Sequence, residues 1–218
     1  MLNKQSGNMY GFVTHTWNAI KGQCEHDCEY CYMKKFKLNP VRFDEKELKC
    51  NLGEGNFIFV GSGNDMFSKD IPADWISQTI DHCFEYNKNK YLFQSKNPIR
   101  MSYYAMPGTT IFATTIESNR DYPISKAPLI KERIEGIKSI LGYDKMITIE
   151  PILRFDLDEL VGMIKSVEPI QVNVGADSKG HHLPEPSTEE INRLIEALKP
   201  LTKVFLKDNL KRLAPSFA

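Results

Sequence analysis

Gly22-Gln-Cys-Glu-His-Asp-Cys-Glu-Tyr-Cys-Tyr32 places three cysteines, Cys24, Cys28 and Cys31, in a C-x3-C-x2-C spacing. The run supplies three thiolates and no fourth. A cubic four-iron cluster is ordinarily closed by four Cys thiolates, so a three-thiolate loop leaves one iron open to the amino and carboxylate groups of a small molecule. Cys24, Cys28 and Cys31 are therefore the candidate metal ligands, and a [4Fe-4S] cluster the candidate group they hold. The triplet follows an apolar, strand-like segment, Phe12-Val-Thr-His-Thr-Trp17.

The same residues admit rival readings. With His26 or His15 the triplet would make a Cys3His zinc site, and unligated thiols would be buried as small hydrophobes. Zinc is disfavoured because His26 lies between two of the Cys ligands and no second C-x2-C pair or spaced His pair completes a finger. A disulfide framework fits worse, since five Cys is an odd number, no secretory signal is evident, and a chain of 218 residues needs no stapling. Cys50 and Cys83 lack a partner motif and are read as core residues.

With 41% hydrophobic content the chain buries a full core, and residues 1–218 are expected to form one domain. No apolar run approaches the ~20 residues of a membrane helix, so a reducing, cytoplasmic setting without membrane contact is expected. Lys plus Arg equals Asp plus Glu at 28 each, which leaves no whole-chain field to attract a polyanion.

Short β-rich runs alternate with helical patterns, the signature of βα units and a parallel sheet. Strands are predicted at Phe12 to Trp17, Asn56 to Val60, Lys90 to Gln94, Thr110 to Ile116, Met146 to Ile149, Ile170 to Val174 and Lys203 to Leu206. Helices are predicted at Ala73 to Asn87, Pro128 to Leu141, Leu157 to Val167 and Thr188 to Leu198. Asp158 and Glu159 suit a first helical turn, Ser187 or Thr188 with Glu190 a capped N-terminus, Pro72 and Pro128 helix starts, and Gly142 a stop. Eight full βα units take ~250 residues, so six strands plus a seventh segment predict an α/β fold of the partial (βα)6 TIM-like barrel type, parallel strands with outer helices and an open side.

In βα barrels the chemistry sits at the C-terminal ends of the strands, and nearly every predicted strand ends in polar residues. The second runs into Gly61-Ser-Gly-Asn-Asp65, where Gly61 and Gly63 allow close backbone approach, Ser62 adds a hydroxyl, and Asn64 or Asp65 suits an ammonium; the alternative is a simple Gly turn. The fourth ends Thr114-Thr-Ile-Glu-Ser-Asn-Arg120, where Glu117, Ser118 and Arg120 suit hydroxyls and a carboxylate, or else form a capped turn with a surface ion pair. The fifth delivers Glu150-Pro151, a ligand or a satisfied barrel-top carboxylate. The sixth carries Gly175, which would admit a flat ring. Lys207 follows the last strand; if buried it needs a partner. No role is assigned to His15, His181 or His182.

The triplet resembles that of the radical S-adenosylmethionine (radical SAM) superfamily, whose core is also a partial (βα)6 barrel. The resemblance implies S-adenosylmethionine as cofactor, chelated on the open iron and cleaved to a 5'-deoxyadenosyl radical, with an electron donor such as flavodoxin or ferredoxin. It places Tyr30 where the backbone meets the adenine, residues 61–65 at the amino group, Glu117 and Ser118 at the ribose and Arg120 at the carboxylate. The segment 61–65 departs from the common Gly-Gly-Glu form. Thr16-Trp17-Asn18, Asp65-Met-Phe, Glu150-Pro-Ile-Leu153 and Val204-Phe-Leu-Lys207 resemble the phage- and bacteria-associated Gp37/Gp68-like family (DUF5131), of unassigned substrate, and the chain is more distantly similar to spore photoproduct lyase, whose substrate is DNA.

Lys34-Lys-Phe-Lys37, and Lys88, Lys90, Lys96 and Arg100 with Tyr86, Tyr91, Phe93, Tyr103 and Tyr104 interleaved, combine cations with stackable rings as a nucleic-acid groove does. Solvated lysines and core aromatics are the competing reading, favoured at zero net charge. Two functions follow: a radical enzyme that abstracts hydrogen from a nucleic-acid base, nucleotide or related molecule, or a non-enzymatic zinc or iron–sulfur module. Only the enzyme needs the polar strand ends.

Overall fold

The computed structural model describes residues 1–5 and 10–215. In chain order these form β1 (Asn3–Lys4), β2 (His15–Trp17), β3 (Ile20–Lys21), β4 (Arg42–Phe43), β5 (Phe57–Val60), α1 (Ala73–Glu85), β6 (Lys90–Gln94), α2 (Pro98–Met101), β7 (Thr110–Thr115), α3 (Ile130–Lys138), β8 (Asp144–Ile149), α4 (Leu157–Val167), β9 (Gln171–Val174), α5 (Thr188–Leu198) and β10 (Lys203–Leu206). Eight strands make one sheet in the order β1-β2-β5-β6-β7-β8-β9-β10. Only the β1–β2 pairing is antiparallel; from β2 to β10 all neighbours run parallel. The sheet ends at β1 and β10 without closing, which makes it the open, partial barrel expected from the sequence. The hairpin β3–β4 stands apart and brackets the cysteine loop.

Parallel strands covered on both faces read as near-continuous apolar runs, and the two faces build separate cores. Ile58, Val60, Tyr91, Phe93, Phe112, Ile147, Ile149, Val172 and Val174 face the helices and pack with Ile76, Ile80, Ile134, Ile137, Leu160, Ile164, Leu194 and Leu198. Their neighbours in sequence, Phe59, Leu92, Ala113 and Met146, turn the other way into the barrel. Tyr10 and Val13 join that inner cluster, with Phe12 and Phe57 packed against it. Tyr10 stacks on Phe12 at 5.4 Å between ring centroids, and Phe12 lies 4.9 Å from Phe57. Tyr10, Phe12 and Val13 thus plug the barrel interior, and β2 is only His15–Trp17 and not the whole run from Phe12.

Local chemistry sets the helix ends. Ser187 Oγ accepts from the Glu190 N–H at 3.2 Å while Glu190 Oε2 accepts from the Ser187 N–H at 2.7 Å, closing a capping box on α5. Asp158 and Glu159 occupy the first turn of α4, where the helix dipole favours them. At α3 the helix starts at Ile130, two residues later than Pro128, where Asp121 Oδ1 accepts the Ile130 N–H at 3.0 Å. Between β6 and β7 the one-turn helix α2 replaces a full crossover helix and packs on α3. Among the described residues no helix is long and apolar enough to cross a membrane.

Candidate active site

A cavity of about 800 Å³ opens at the C-terminal ends of the parallel strands. Its walls are the residues that follow each strand: Gly61 to Asp65 after β5, Ser95 and Lys96 after β6, Glu150 and Pro151 after β8, Ala176 to Lys179 after β9, and Lys207 after β10. The cysteine loop forms a further wall.

Cys24, Cys28 and Cys31 all line the cavity, and none is in a disulfide. Backbone bonds fasten their loop to the body: Glu29 N–H to Ile124 O at 2.9 Å, Lys126 N–H to His26 O at 2.7 Å and Gln23 N–H to Asn39 O at 2.9 Å. Asp27, with φ at 47°, turns the loop between the first two cysteines, and its carboxylate is held by Lys34 at 2.8 Å and Lys126 at 3.1 Å. Burial, with the Asp65 charge adding to it, pushes the Cys24 thiol up to about 12. Burial raises Cys28 as well, against the pull of Lys96. Among the described residues no three His, Cys, Asp or Glu side chains converge as ligands to one ion would.

The turn after β5 is pinned from two sides. Gly61 takes a φ of 79°, a left-handed conformation that costs Gly little. Asn18, directly after β2, accepts the Gly63 N–H on Oδ1 at 3.0 Å. Asp65 is saturated: Oδ1 accepts from Ser95 Oγ at 2.7 Å and Phe67 N–H at 3.1 Å, and Oδ2 from Lys96 N–H at 2.8 Å, with His26 Nε2 at 2.9 Å. Burial works against its charge, but His26 and these donors hold its carboxyl below the usual range. Asn64 donates from Nδ2 to Gly22 O at 3.0 Å and Gln23 O at 3.1 Å, which fixes its amide orientation, and its buried Oδ1 has no hydrogen-bond partner among the described residues.

A second buried group lies behind Tyr30. The Tyr30 phenol donates to Glu117 Oε1, and Lys96 Nζ donates to the Tyr30 oxygen and, at 2.6 Å, to Glu117 Oε1. Arg133 from α3 closes the other side, 2.8 Å from Glu117 Oε2. Burial would raise the Glu117 carboxyl, but Lys96 and Arg133 outweigh it and bring it to about 2.

The third group is an ion pair. Lys207 Nζ lies 2.6 Å from Glu150 Oε2 and 5.2 Å from the Tyr10 ring centroid, with the Lys207 side chain only 7% exposed. Asn209 Nδ2 donates to Glu150 Oε1 at 2.7 Å. The Tyr10 hydroxyl donates to Gln94 Oε1 at 2.7 Å and sits 2.7 Å from Thr148 Oγ1, and Gln94 Nε2 donates to Thr115 Oγ1 at 2.9 Å.

The fold resembles that of radical SAM enzymes. A spore photoproduct lyase variant aligns with 93% of this chain and 78% of its own length at a TM-score of 0.68 and 11% identity. Another spore photoproduct lyase variant, solved with AdoMet and a dinucleoside spore photoproduct bound, aligns over the same shares with a TM-score of 0.67 and 12% identity. A radical SAM methyltransferase from Sphaerobacter thermophilus aligns with 91% of this chain and 67% of its own at 0.59 and 13% identity. No protein-family model and no curated protein matches the sequence. At such identities the likeness is one of fold.

The cavity gathers Cys24, Cys28, Cys31, Tyr30, Gly61, Ser62, Gly63, Asn64, Asp65 and Glu150 from the sequence-predicted residues. It leaves four elsewhere. Glu117 lies behind Tyr30, its oxygens taken by Lys96 and Arg133. Ser118 is buried in a turn, where its hydroxyl donates to Arg154 O at 2.6 Å and accepts the Arg120 N–H at 3.1 Å. Arg120 is exposed and paired with Asp156, at 2.8 Å through Nε and 2.6 Å through Nη2. This is the capped turn with a surface ion pair. Gly175 is not among the residues that line the cavity, and the direction a Cβ would take there is filled by protein, 2.8 Å from Asn209 Oδ1 and 3.0 Å from the Glu150 carboxylate.

The second basic and aromatic cluster is dispersed. Lys88 pairs with Glu54 on the surface, Arg100 binds Ser68 O and Ile71 O, Tyr91 and Phe93 are in the core, and only Lys96 reaches the cavity. Asn18 and Ser95 also take part in the site and directly follow β2 and β6, the signal that marks residues 61–65 in the sequence; Lys96, a candidate only as a groove cation, comes next after Ser95.

Proposed function

We propose that this chain is a radical SAM enzyme, a single domain over residues 1–218, whose cysteine loop holds a [4Fe-4S] cluster. The observation that carries the reading is the placement of all three thiols of a C-x3-C-x2-C loop on one cavity, at the C-terminal end of a parallel partial barrel. The donor set fits the cluster: soft thiolates suit iron–sulfur, and three of them serve three different irons, so they need not converge as zinc ligands do. When bound, the cluster supplies the electron that cleaves S-adenosylmethionine to a 5'-deoxyadenosyl radical able to take hydrogen from a substrate.

The residues of the chain bind and orient. Asn64 Oδ1, a buried acceptor without a partner among the described residues, is the group we assign to the cofactor's ammonium, because the four hydrogen-bonding positions on Asp65 are already filled. The Gly61–Gly63 turn allows close backbone approach, and Asn18 holds that turn in place. The substrate we propose is a nucleic-acid base or nucleotide, and an electron donor such as flavodoxin or ferredoxin serves the cluster. Support for the substrate comes from the lysines and exposed rings at the cavity mouth and from the dinucleoside bound by a protein of similar fold. The narrower likeness to the Gp37/Gp68-like proteins rests on short motifs, of which Asn18, Asp65, Glu150 and Lys207 all take part in the site. Anaerobic reconstitution with iron and sulfide tests the reading: about four irons per chain, lost on chelation or in Cys28→Ala, support it, and one tightly bound zinc with no iron–sulfur chromophore contradicts it.

A further inference from the structure

The cavity lining carries cations that its own carboxylates do not balance. The chain is neutral overall, and the carboxylates that line the cavity are engaged: Asp27 with Lys34 and Lys126, Asp65 with His26, Glu150 with Lys207, and Asp177 with His181 at 2.7 Å. Two lining lysines, Lys35 and Lys179, have no ion-pair partner among the described residues. They stand on different segments, Lys35 between β3 and β4 after the cysteine loop and Lys179 after β9.

Beside Lys35, Phe36 lines the same cavity with 52% of its surface exposed, and Lys35 Nζ sits 4.7 Å from its ring centroid. A large apolar ring left in water beside a cation is a stacking platform in search of a flat partner.

We infer that the cavity mouth is a track for single-stranded nucleic acid, with phosphates on Lys35 and Lys179 and a base stacked on Phe36. This rests on the proposal that a nucleic-acid base is the substrate and extends it to a polymer. Cations on two different segments of the cavity wall match phosphates of one strand, and an exposed ring needs an unstacked base, which a duplex does not present.

The test is fluorescence anisotropy of a labelled, mixed-sequence single-stranded oligonucleotide with the full chain as isolated, over a series of salt concentrations. Wild type is expected to bind with affinity that falls as salt rises. Lys35→Ala with Lys179→Ala reduces the slope of log K against log salt by about 1.4, at about 0.7 for each single-strand phosphate that is no longer neutralised. Phe36→Ala weakens binding roughly fivefold or more at fixed salt and leaves the slope unchanged. A control pair, Lys138→Ala with Lys199→Ala, removes two lysines that pair within helices and leaves both quantities unchanged. Absence of binding, an unaltered slope in the Lys35 and Lys179 variant, or equal displacement by a polyglutamate peptide would overturn the inference, the last by assigning the surface to acidic peptides. Because no cluster is needed, a failure here is separable from a failure of the reconstituted protein to cleave S-adenosylmethionine.

Discussion

Lys96 and Glu117 meet at 2.6 Å beside the Tyr30 phenol, one residue before Cys31, and so join the end of β6 to the end of β7 and to the cysteine loop. A single carboxylate balances two cations, the partly buried Lys96 and the buried Arg133, which holds its other oxygen. Removing one partner of a buried pair leaves an uncompensated charge in a medium that solvates it poorly. Glu117→Gln is expected to cost about 3–5 kcal/mol of unfolding free energy, read from urea denaturation.

The same carboxylate gives the protein an acid-sensitive component. A group whose folded pKa is depressed contributes stability that is present above its unfolded value and lost as pH falls through the folded one. For Glu117 the window runs from 4.5 down to about 2. The urea midpoint of the wild type should fall across that window, and the Glu117→Gln variant should lack this part of the fall.

Lys207 is buried with Glu150 as its ion-pair partner. Lys207→Met leaves the Glu150 carboxylate with Asn209 and should cost about 3 kcal/mol. Adding Glu150→Gln should recover part of the loss, and a double-mutant cycle on the urea midpoints measures the coupling.

Gly175→Ala tests the close approach behind that pair. The atoms a Cβ would meet are side-chain ends, Asn209 Oδ1 and the Glu150 carboxylate, which are able to shift. The expected cost is about 1 kcal/mol, the low end for an overpacked site. A loss above about 3 kcal/mol in thermal or urea unfolding, the upper end for overpacking, would show that Glu150 has nowhere to move.

Cys28 and Cys83 are both buried, and their roles differ by position: Cys28 lines the cavity, and Cys83 is packed in the outer core with α1. Cys83→Ala should lower stability by about 1–2 kcal/mol through the poorer packing and keep full iron loading. Cys28→Ala should lose the iron. Equal iron loss in the two variants contradicts the ligand assignment.

The sequence specified most of the frame, because parallel strands and their covering helices are written in apolar periodicity. β6, α4, α5 and β10 have the predicted bounds, and the Ser187–Glu190 cap is where the pattern placed it. The two-residue strands β1, β3 and β4 and the single turn α2 are too short to show a period. Of the plug residues, Phe12 and Val13 read as strand, since apolar residues look alike whether they pair in a sheet or fill a barrel.

In the site, position was legible and partnership was not. A polar residue after a strand faces the cavity by topology alone, which is why residues 61–65, Glu150 and Lys207 stand out in the sequence. Glu117 has the same signal, but its oxygens are taken by Lys96 and Arg133, 21 and 16 residues away. Arg120 is drawn outward by Asp156, 36 residues away. No local pattern encodes such pairings.

The most direct measurement is 5'-deoxyadenosine formation from S-adenosylmethionine by the anaerobically reconstituted, dithionite-reduced protein. Formation that depends on Cys24, Cys28 and Cys31 and persists in Cys83→Ala is the predicted result. A protein that binds iron and sulfide in full yet yields no 5'-deoxyadenosine, with or without added oligonucleotide, would contradict the radical SAM reading.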